Sequence, residues 1–489
     1  MSTKRKVKRM AGVLMPIASL PSSDGVGSFG KSAYEFVDYL ADTGFKIWQV
    51  LPLNPLGYGN SPYQPYSSYA GDEIYIDLDL LKQDGYLSGK RKALPCTGRV
   101  DYDVARKHKL SYFKKAFNEF EKQDKEAKEF KEFCKQKWVY NYAVFIALKK
   151  NNDLRCWNEW PKDQRDWIID KKFDISIFEE EIRFQIFLQY MFYKQWMALK
   201  QYANDKGILM MGDIPFYVGI DSLDVWEDRD SFLLDRDGKP NYIAGVPPDY
   251  FSPTGQRWGN PIYNWKRFEK NNFRFWINRL SYCEKLYDIV RIDHFRAFDT
   301  YWKVPSTCDT AVEGDWIEAP GYALFDTVFE KLPEIWIVAE DLGDLRPEVL
   351  ELRDAYELPG MMIGEFDLLS KKVNENCVIY TGTHDNQTVE GWYKSLKANE
   401  KKKVKARLDK EGGANKSICY KMLHYVFNSE ADYAIVPLVD ILELDDKARI
   451  NTPGTVGSPN WEWQLKDMKD LEQTRESIKE LLKNTKRIN

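Results

Sequence analysis

Histidine is the scarcest informative residue of this chain, four in 489 positions, which confines any imidazole chemistry to a few places. Net charge is nearly absent too: 71 Lys+Arg against 75 Asp+Glu leaves −4, so nucleic acid is not the expected partner. No apolar run approaches the ~18 residues of a membrane-spanning helix, and no membrane partner is expected. The basic stretch Lys4, Arg5, Lys6, Lys8 and Arg9 followed by apolar 11–20 imitates a secretory leader. Pro16 interrupts it and no small-residue cleavage site closes it, so it reads as a first strand. Seven cysteines are scattered without a C-x-x-C pair, which suggests neither a disulfide framework nor a zinc knuckle. Reduced thiols and the lack of a leader predict a cytoplasmic protein, and no repeat or low-complexity segment interrupts it.

Aromatics, by contrast, are abundant: 16 Trp, 29 Tyr and 26 Phe make up 15% of the chain. They suit either a large core or a long groove for a ligand with flat apolar faces and polar edges. Composition by itself favours the core.

Eight short apolar runs rich in β-branched residues end in polar or Gly-containing segments, at 12–18, 47–53, 207–214, 287–292, 335–340, 361–366, 378–383 and 433–438. Buried parallel strands have this pattern. Helical periodicity lies between most of them, at 29–43, 274–284, 322–331, 346–356 and 417–427, and the alternation predicts a parallel sheet. Length does not divide the chain, because α/β barrels exceed the usual domain size as one unit. The fold expected is a (β/α)8 TIM barrel, class α/β, spanning 1–489, with large insertions after strands 2 and 3. The first, 54–206, is largely helical, with a charged stretch at 104–150 and an amphipathic one at 177–206. The second, 217–272, is dense in Gly, Pro, Asp and aromatics and reads as an ordered loop excursion over the cleft.

A parallel barrel gathers functional groups at the C-terminal ends of its strands. Four predicted strands end in a carboxylate: Asp213, Asp293, Glu340 and Asp385. Residues two apart on a strand share a face, so Arg291 lies beside Asp293, where its charge lowers the carboxyl pKa and keeps the group ionised. Parity puts Glu340 and Asp341 on opposite faces without deciding which faces the axis. His294 and His384 stand next to two of the strand-end aspartates. A metal site is the alternative for that placement, but no His-x-x-x-His or Cys/His spacing supports it, and no metal or cofactor is expected. A single strand-end Asp is more often a helix N-cap or the partner of a buried Arg; four together weaken that explanation. Converging carboxylates, one ionised and one protonated, are the equipment of glycosidic bond cleavage, with the tyrosines of 57–66 available to stack on sugar faces.

At these residues the chain closely resembles the 4-α-glucanotransferases called amylomaltase, or disproportionating enzyme, of glycoside hydrolase family 77. The similarity covers essentially the whole chain. It includes Ala18-Ser19-Leu20-Pro21-Ser22, Gly-Tyr-Gly-Asn-Ser-Pro-Tyr-Gln at 57–64, Gly-Asp-Ile-Pro at 212–215 and the long motif from Val246 to Pro261. Further along come Arg-Ile-Asp-His-Phe at 291–295, Ala-Glu-Asp-Leu-Gly at 339–343, Gly-Thr-His-Asp-Asn at 382–386 and Asn451-Thr452-Pro453-Gly454. The resemblance implies Asp293 as nucleophile, Glu340 as general acid/base and Asp385 as the acid stabilising the distorted sugar, which would choose Glu340 over Asp341. It implies sugar contact or support of the nucleophile by Arg291, His294 and His384, and a strand-end acid shared with the α-amylase clan at Asp213. The 249–258 loop, with Asp249, Tyr250 and Trp258, would overhang the cleft, and Tyr58 would contact bound glucan. No role is implied for 455–458. The expected substrates are maltooligosaccharides and other α-1,4-glucans, acted on by a monomer or homodimer. The rivals are an α-amylase-type hydrolase or branching enzyme, a silent glucan-binding protein and a metal-dependent hydrolase.

Overall fold

Met211, Ile289, Val338, Met361, Val378 and Tyr433 meet in one buried cluster, while their chain neighbours Met210, Val290, Ile337, Met362, Ile379 and Ala434 join a second, larger one. Burial on both faces is what a parallel sheet wrapped in helices demands, and it explains why these runs are continuously apolar. In the computed structural model, which describes residues 9–248, 252–343, 345–370, 372–412 and 415–488, each predicted run supplies a strand. They are β1 Met10–Leu14, β2 Ile47–Gln49, β3 Leu209–Ile214, β4 Ile289–Ile292, β5 Ile337–Ala339, β6 Gly360–Ile363, β7 Cys377–Tyr380 and β8 Tyr433–Pro437. All pair in parallel, in the order β6-β7-β8-β1-β2-β3-β4-β5. Across the remaining seam the Ala339 N–H donates to the Pro359 carbonyl at 2.9 Å, so the sheet comes back on itself as a barrel.

The helices follow their sequence signals. Lys31–Thr43 ends where Gly44 takes φ 98°, a left-handed C-terminal position that favours glycine. A side chain there would also strike Ile488, 2.5 Å from a built Cβ. Pro347 opens the helix Pro347–Ala355 at its first turn, where its missing N–H costs nothing. The Ser417 hydroxyl accepts from the Tyr420 N–H at 3.1 Å and caps Ile418–Asn428. Among the described residues no helix is long and apolar enough to cross a membrane.

Between β2 and β3 run the helices Tyr102–Gln123, Lys137–Asn151 and Glu179–Asp205. The last is fastened to the chain leaving β2 by paired amide bonds. Gln189 donates to the Gly71 carbonyl at 2.9 Å and accepts from its N–H at 2.8 Å, and Gln195 does the same with Asp77. Arg106, on Tyr102–Gln123, grips Asp72 with both Nη atoms at 2.9 and 2.6 Å, and Asp72 in turn accepts from the Leu56 N–H. The Tyr-rich loop at 57–66 therefore springs from a fixed base.

The segment between β3 and β4 differs from the loop expected. It contains the strands Tyr242–Val246 and Gln256–Pro261, which join Thr300–Pro305 and Asp315–Glu318 in a four-stranded antiparallel sheet. Two of the four strands come from beyond β4, and the edge strand Gln256–Pro261 has no apolar alternation. Its stability is supplied by partners distant in sequence, which local pattern does not reveal. Most aromatics are core: Trp48, Trp157, Trp196, Trp226 and Trp276 are all fully buried.

Candidate active site

Register brings the first groups together. Asp213 on β3 pairs with Arg291 on β4, and both side chains follow the inward face set by Met211 and Ile289. Arg291 Nη1 donates to both Asp213 oxygens at 2.6 and 2.7 Å, while Nη2 reaches Asp293 Oδ1 at 3.1 Å. Tyr63, from the loop after β2, gives its hydroxyl proton to Asp213 Oδ2 at 2.8 Å. The Asp213 side chain is 0% exposed and that of Asp293 34%, so of the two only Asp293 presents a carboxylate to a ligand. From sequence this strand-end acid, Asp213, counts among the substrate-binding residues; its oxygens are taken by Arg291 and Tyr63 in a closed pocket.

Glu340 follows β5 on the face of Val338, which lies in the barrel interior. Asp341 turns outward, accepting from the Met361 N–H at 2.7 Å and pairing with Arg353. The pleat that left the choice open is thus settled by which neighbour each acid finds. His294 sits in the left-handed region (φ 56°, ψ 47°), uncommon for a residue with a Cβ. That turn aims its N–H at Glu340 Oε2, at 2.7 Å. Burial pushes the Glu340 carboxyl up to about 8, reinforced by the negative charge of Asp293 and opposed by Arg291 and the His294 N–H. Burial also pushes Asp293 up, to about 6, with Asp213 and Asp385 adding to the rise and Arg291 and His384 opposing it. The sequence expects Arg291 to lower this group below the ordinary carboxylate range. Arg291 does pull it down, but burial outweighs that pull and the charges of Asp213 and Asp385 add to the rise. The order of the two acids is nevertheless that of a nucleophile and a proton donor: near neutral pH Asp293 is ionised and Glu340 is not.

His384 and Asp385 follow β7. The His384 ring stacks on Tyr63, centroids 5.2 Å apart and 16° between planes, with Trp461 tilted against both. Its Nε2 stands 3.5 Å from Asp385 Oδ2, and its buried Nδ1 finds no hydrogen-bond partner among the described residues. Asp385 is held from a segment for which the sequence suggested no such duty: Asn451 Nδ2 donates to its Oδ1 at 2.6 Å, and Arg449 to its backbone carbonyl at 2.8 Å. The motif around Asn451 was visible in the sequence, but its reach to Asp385, 66 positions away, was not. On the other wall Trp258 sets its ring edge-on to His294 at 4.8 Å, and its carbonyl accepts from Gln64 Nε2 at 3.1 Å, joining the 57–66 loop to the antiparallel sheet. Burial, assisted by the charge of Arg296, lowers the His294 imidazole to about 3, so it is neutral at any ordinary pH. The Tyr58 backbone forms a single turn, Tyr58–Asn60; its side chain, and all of Asp249 and Tyr250, lie outside the described residues. Among the described residues no three His, Cys, Asp or Glu side chains are grouped as a metal would require.

The model of the 4-alpha-glucanotransferase family matches residues 15–470. The chain belongs to this family. It is 41% identical to the 4-alpha-glucanotransferase of Streptococcus pneumoniae, over 99% of this chain and 98% of that one. With the Thermus thermophilus 4-alpha-glucanotransferase it shares 41% identity over 94% of this chain and 95% of that one. The amylomaltase of Streptococcus agalactiae, solved in complex with acarbose, superimposes with a TM-score of 0.92 at 37% identity, covering 99% of this chain and all of that one. The Corynebacterium glutamicum amylomaltase, 18% identical, shares the fold with a TM-score of 0.76 over 98% of this chain and 75% of that one. The chain is an enzyme of the 4-alpha-glucanotransferase class.

Proposed function

We propose that this glucanotransferase moves segments of a 1,4-α-D-glucan to the 4-hydroxyl of an acceptor glucan or glucose by a retaining double displacement. Asp293 attacks the anomeric carbon while Glu340 protonates the departing glycosidic oxygen, giving a covalent glucosyl-Asp293 ester and a free 4-hydroxyl. A second glucan then enters. Glu340, now ionised, takes the proton of its 4-hydroxyl, that oxygen attacks the anomeric carbon, and Asp293 leaves. The observation that carries this reading is the pair itself: an ionised Asp293 tethered to Arg291 next to a Glu340 whose carboxyl stays protonated to about 8.

Asp385 is the third acid, placed by Asn451 to receive hydroxyls of the distorted sugar as charge develops on the ring. Asp213 acts through Arg291 and not on the sugar. His294 and His384 hydrogen-bond the glucose at the cleavage point, and Trp258 lines the cleft; glucan contact by Tyr58, Asp249 and Tyr250 rests on the family resemblance alone. The seven thiols, none in a disulfide, fit the cytoplasm, and the expected assembly is a monomer or homodimer. The acarbose complex of the Streptococcus agalactiae enzyme supports an oligosaccharide in this cleft. Residues 54–206 and 217–272 are read as insertions of one catalytic barrel.

Incubation with maltotriose tests the reading. Transfer yields glucose plus longer oligomers with a constant number of reducing ends, and Asp293→Asn abolishes it while leaving maltooligosaccharide binding. Glucose and maltose with rising reducing ends would instead make the protein a hydrolase.

A further inference from the structure

A fifth acid stands near this mouth that the mechanism does not use. Glu365 follows β6, in the short helix Gly364–Asp367, and is 9% exposed. Its N–H donates to the Thr381 carbonyl at 3.1 Å, tying the end of β6 to the chain leaving β7. Its Oε2 accepts from Asn386 Nδ2 at 3.3 Å, while Oε1 is buried without a hydrogen-bond partner among the described residues. The Oδ1 of Asn386 in turn accepts from both the N–H and the hydroxyl of Thr383 at 2.9 Å, and the Thr383 hydroxyl oxygen accepts from the Asp385 N–H at 3.3 Å. Gly382 lets this chain of contacts close. A Cβ there would lie 2.9 Å from Asn386 Cβ and 3.2 Å from Glu365 Oε1, tighter than packed atoms accept.

We infer that Glu365 is a positioning residue for Asp385: through Asn386 it fixes the turn 381–386 that presents His384 and Asp385 to the cleft. This rests on the reading of Asp385 as the third acid. Asp385 is then held twice, on its carboxylate by Asn451 and beneath its backbone by the Glu365–Asn386–Thr383 relay. The relay asks Glu365 for an acceptor oxygen and not for a charge. Burial, with Asp440 adding to it, pushes its carboxyl well above the ordinary range, which suits a group that serves as a neutral acceptor. Glutamine meets the same requirement and alanine does not.

The test compares Glu365→Ala, Glu365→Gln and Asn386→Ala on maltotriose. Expected are a loss of about 10- to 100-fold in kcat for Glu365→Ala with KM within about threefold, since a displaced catalytic group costs on this scale, and kcat within about threefold of the parent for Glu365→Gln. The double variant Glu365→Ala/Asn386→Ala should be no slower than Asn386→Ala, because Glu365 acts only through that amide. Native kcat in Glu365→Ala, equal losses in the alanine and glutamine variants, or additive losses in the double variant would overturn the inference. Should Glu365→Ala not fold, the Glu365→Gln/Asn386→Ala pair gives the same decision, with losses no larger than those of Asn386→Ala expected. Asp385→Asn separates the two levels: if it keeps full turnover the reading of Asp385 fails, whereas a dead Asp385→Asn beside an unimpaired Glu365→Ala sinks the relay alone.

Discussion

Arg291 holds Asp213 with one nitrogen on both carboxylate oxygens, at 2.6 and 2.7 Å, in a pocket closed to solvent. The pair fixes where the other guanidinium nitrogen points, and that nitrogen meets Asp293. Replacing Asp213 by Asn removes a negative charge that pushes Asp293 up. The acid limb of the kcat/KM profile should therefore move below about 6, while KM for maltotriose stays near the parent value. Breaking a buried ion pair on one side costs about 3 to 5 kcal/mol, which urea unfolding would register. A KM that rises with no movement of the acid limb would return Asp213 to direct contact with the sugar.

The parent enzyme should show a bell-shaped profile. Activity requires Asp293 ionised, so it falls as pH drops through about 6, and Glu340 protonated, so it falls as pH rises through about 8. The two values belong to the interacting pair and are read as macroscopic limbs. His294, lowered to about 3, contributes no limb, and His294→Gln should leave both where they are whatever it does to rate. Initial rates from pH 4 to 10 check this.

Asn451 donates to Asp385 Oδ1 at 2.6 Å. Asn451→Ala removes one neutral donor and should lower kcat about tenfold. Asn451→Asp sets a second carboxylate against the first and should lower it about 100-fold. Equal effects from the two substitutions would indicate loss of packing and not of charge placement.

Gln64 and Trp258 bridge the 57–66 loop and the antiparallel sheet. Opening that bridge admits water to the ester intermediate. Gln64→Ala, which removes the donor to the Trp258 carbonyl, should raise the share of hydrolysis over transfer several-fold, measured as new reducing ends per glucose released from maltotriose. An unchanged ratio would place the barrier to water elsewhere.

The barrel was legible because its strands are buried on both faces: runs such as 433–438 and 377–380 leave no charged or strongly polar position to disguise them. Parity along β4 likewise gave Arg291 beside Asp293 directly. The limits were contacts between segments far apart in the chain. Nothing local at Asp341 shows that Arg353 awaits it, so Glu340 and Asp341 stayed equivalent until β6 and the helix Pro347–Ala355 supplied Asp341 with partners. The strand Gln256–Pro261 has no periodicity to read and exists because Tyr242–Val246 and, behind it, Thr300–Pro305 pair alongside. The direction of the Asp293 shift failed for a related reason: one neighbouring Arg was visible, but not the burial of the carboxyl or the acids Asp213 and Asp385 that the fold brings beside it.

The central claim is that Asp293 forms the covalent bond. Glu340→Gln, which lacks the acid/base but keeps the nucleophile, should accumulate the intermediate from an α-maltosyl fluoride, whose leaving group needs no proton. Peptide mapping by mass spectrometry should then find a maltosyl adduct on the peptide containing Asp293, at Asp293 itself. An adduct on Asp385 or Asp213, or release of an inverted product with no adduct, would contradict the account.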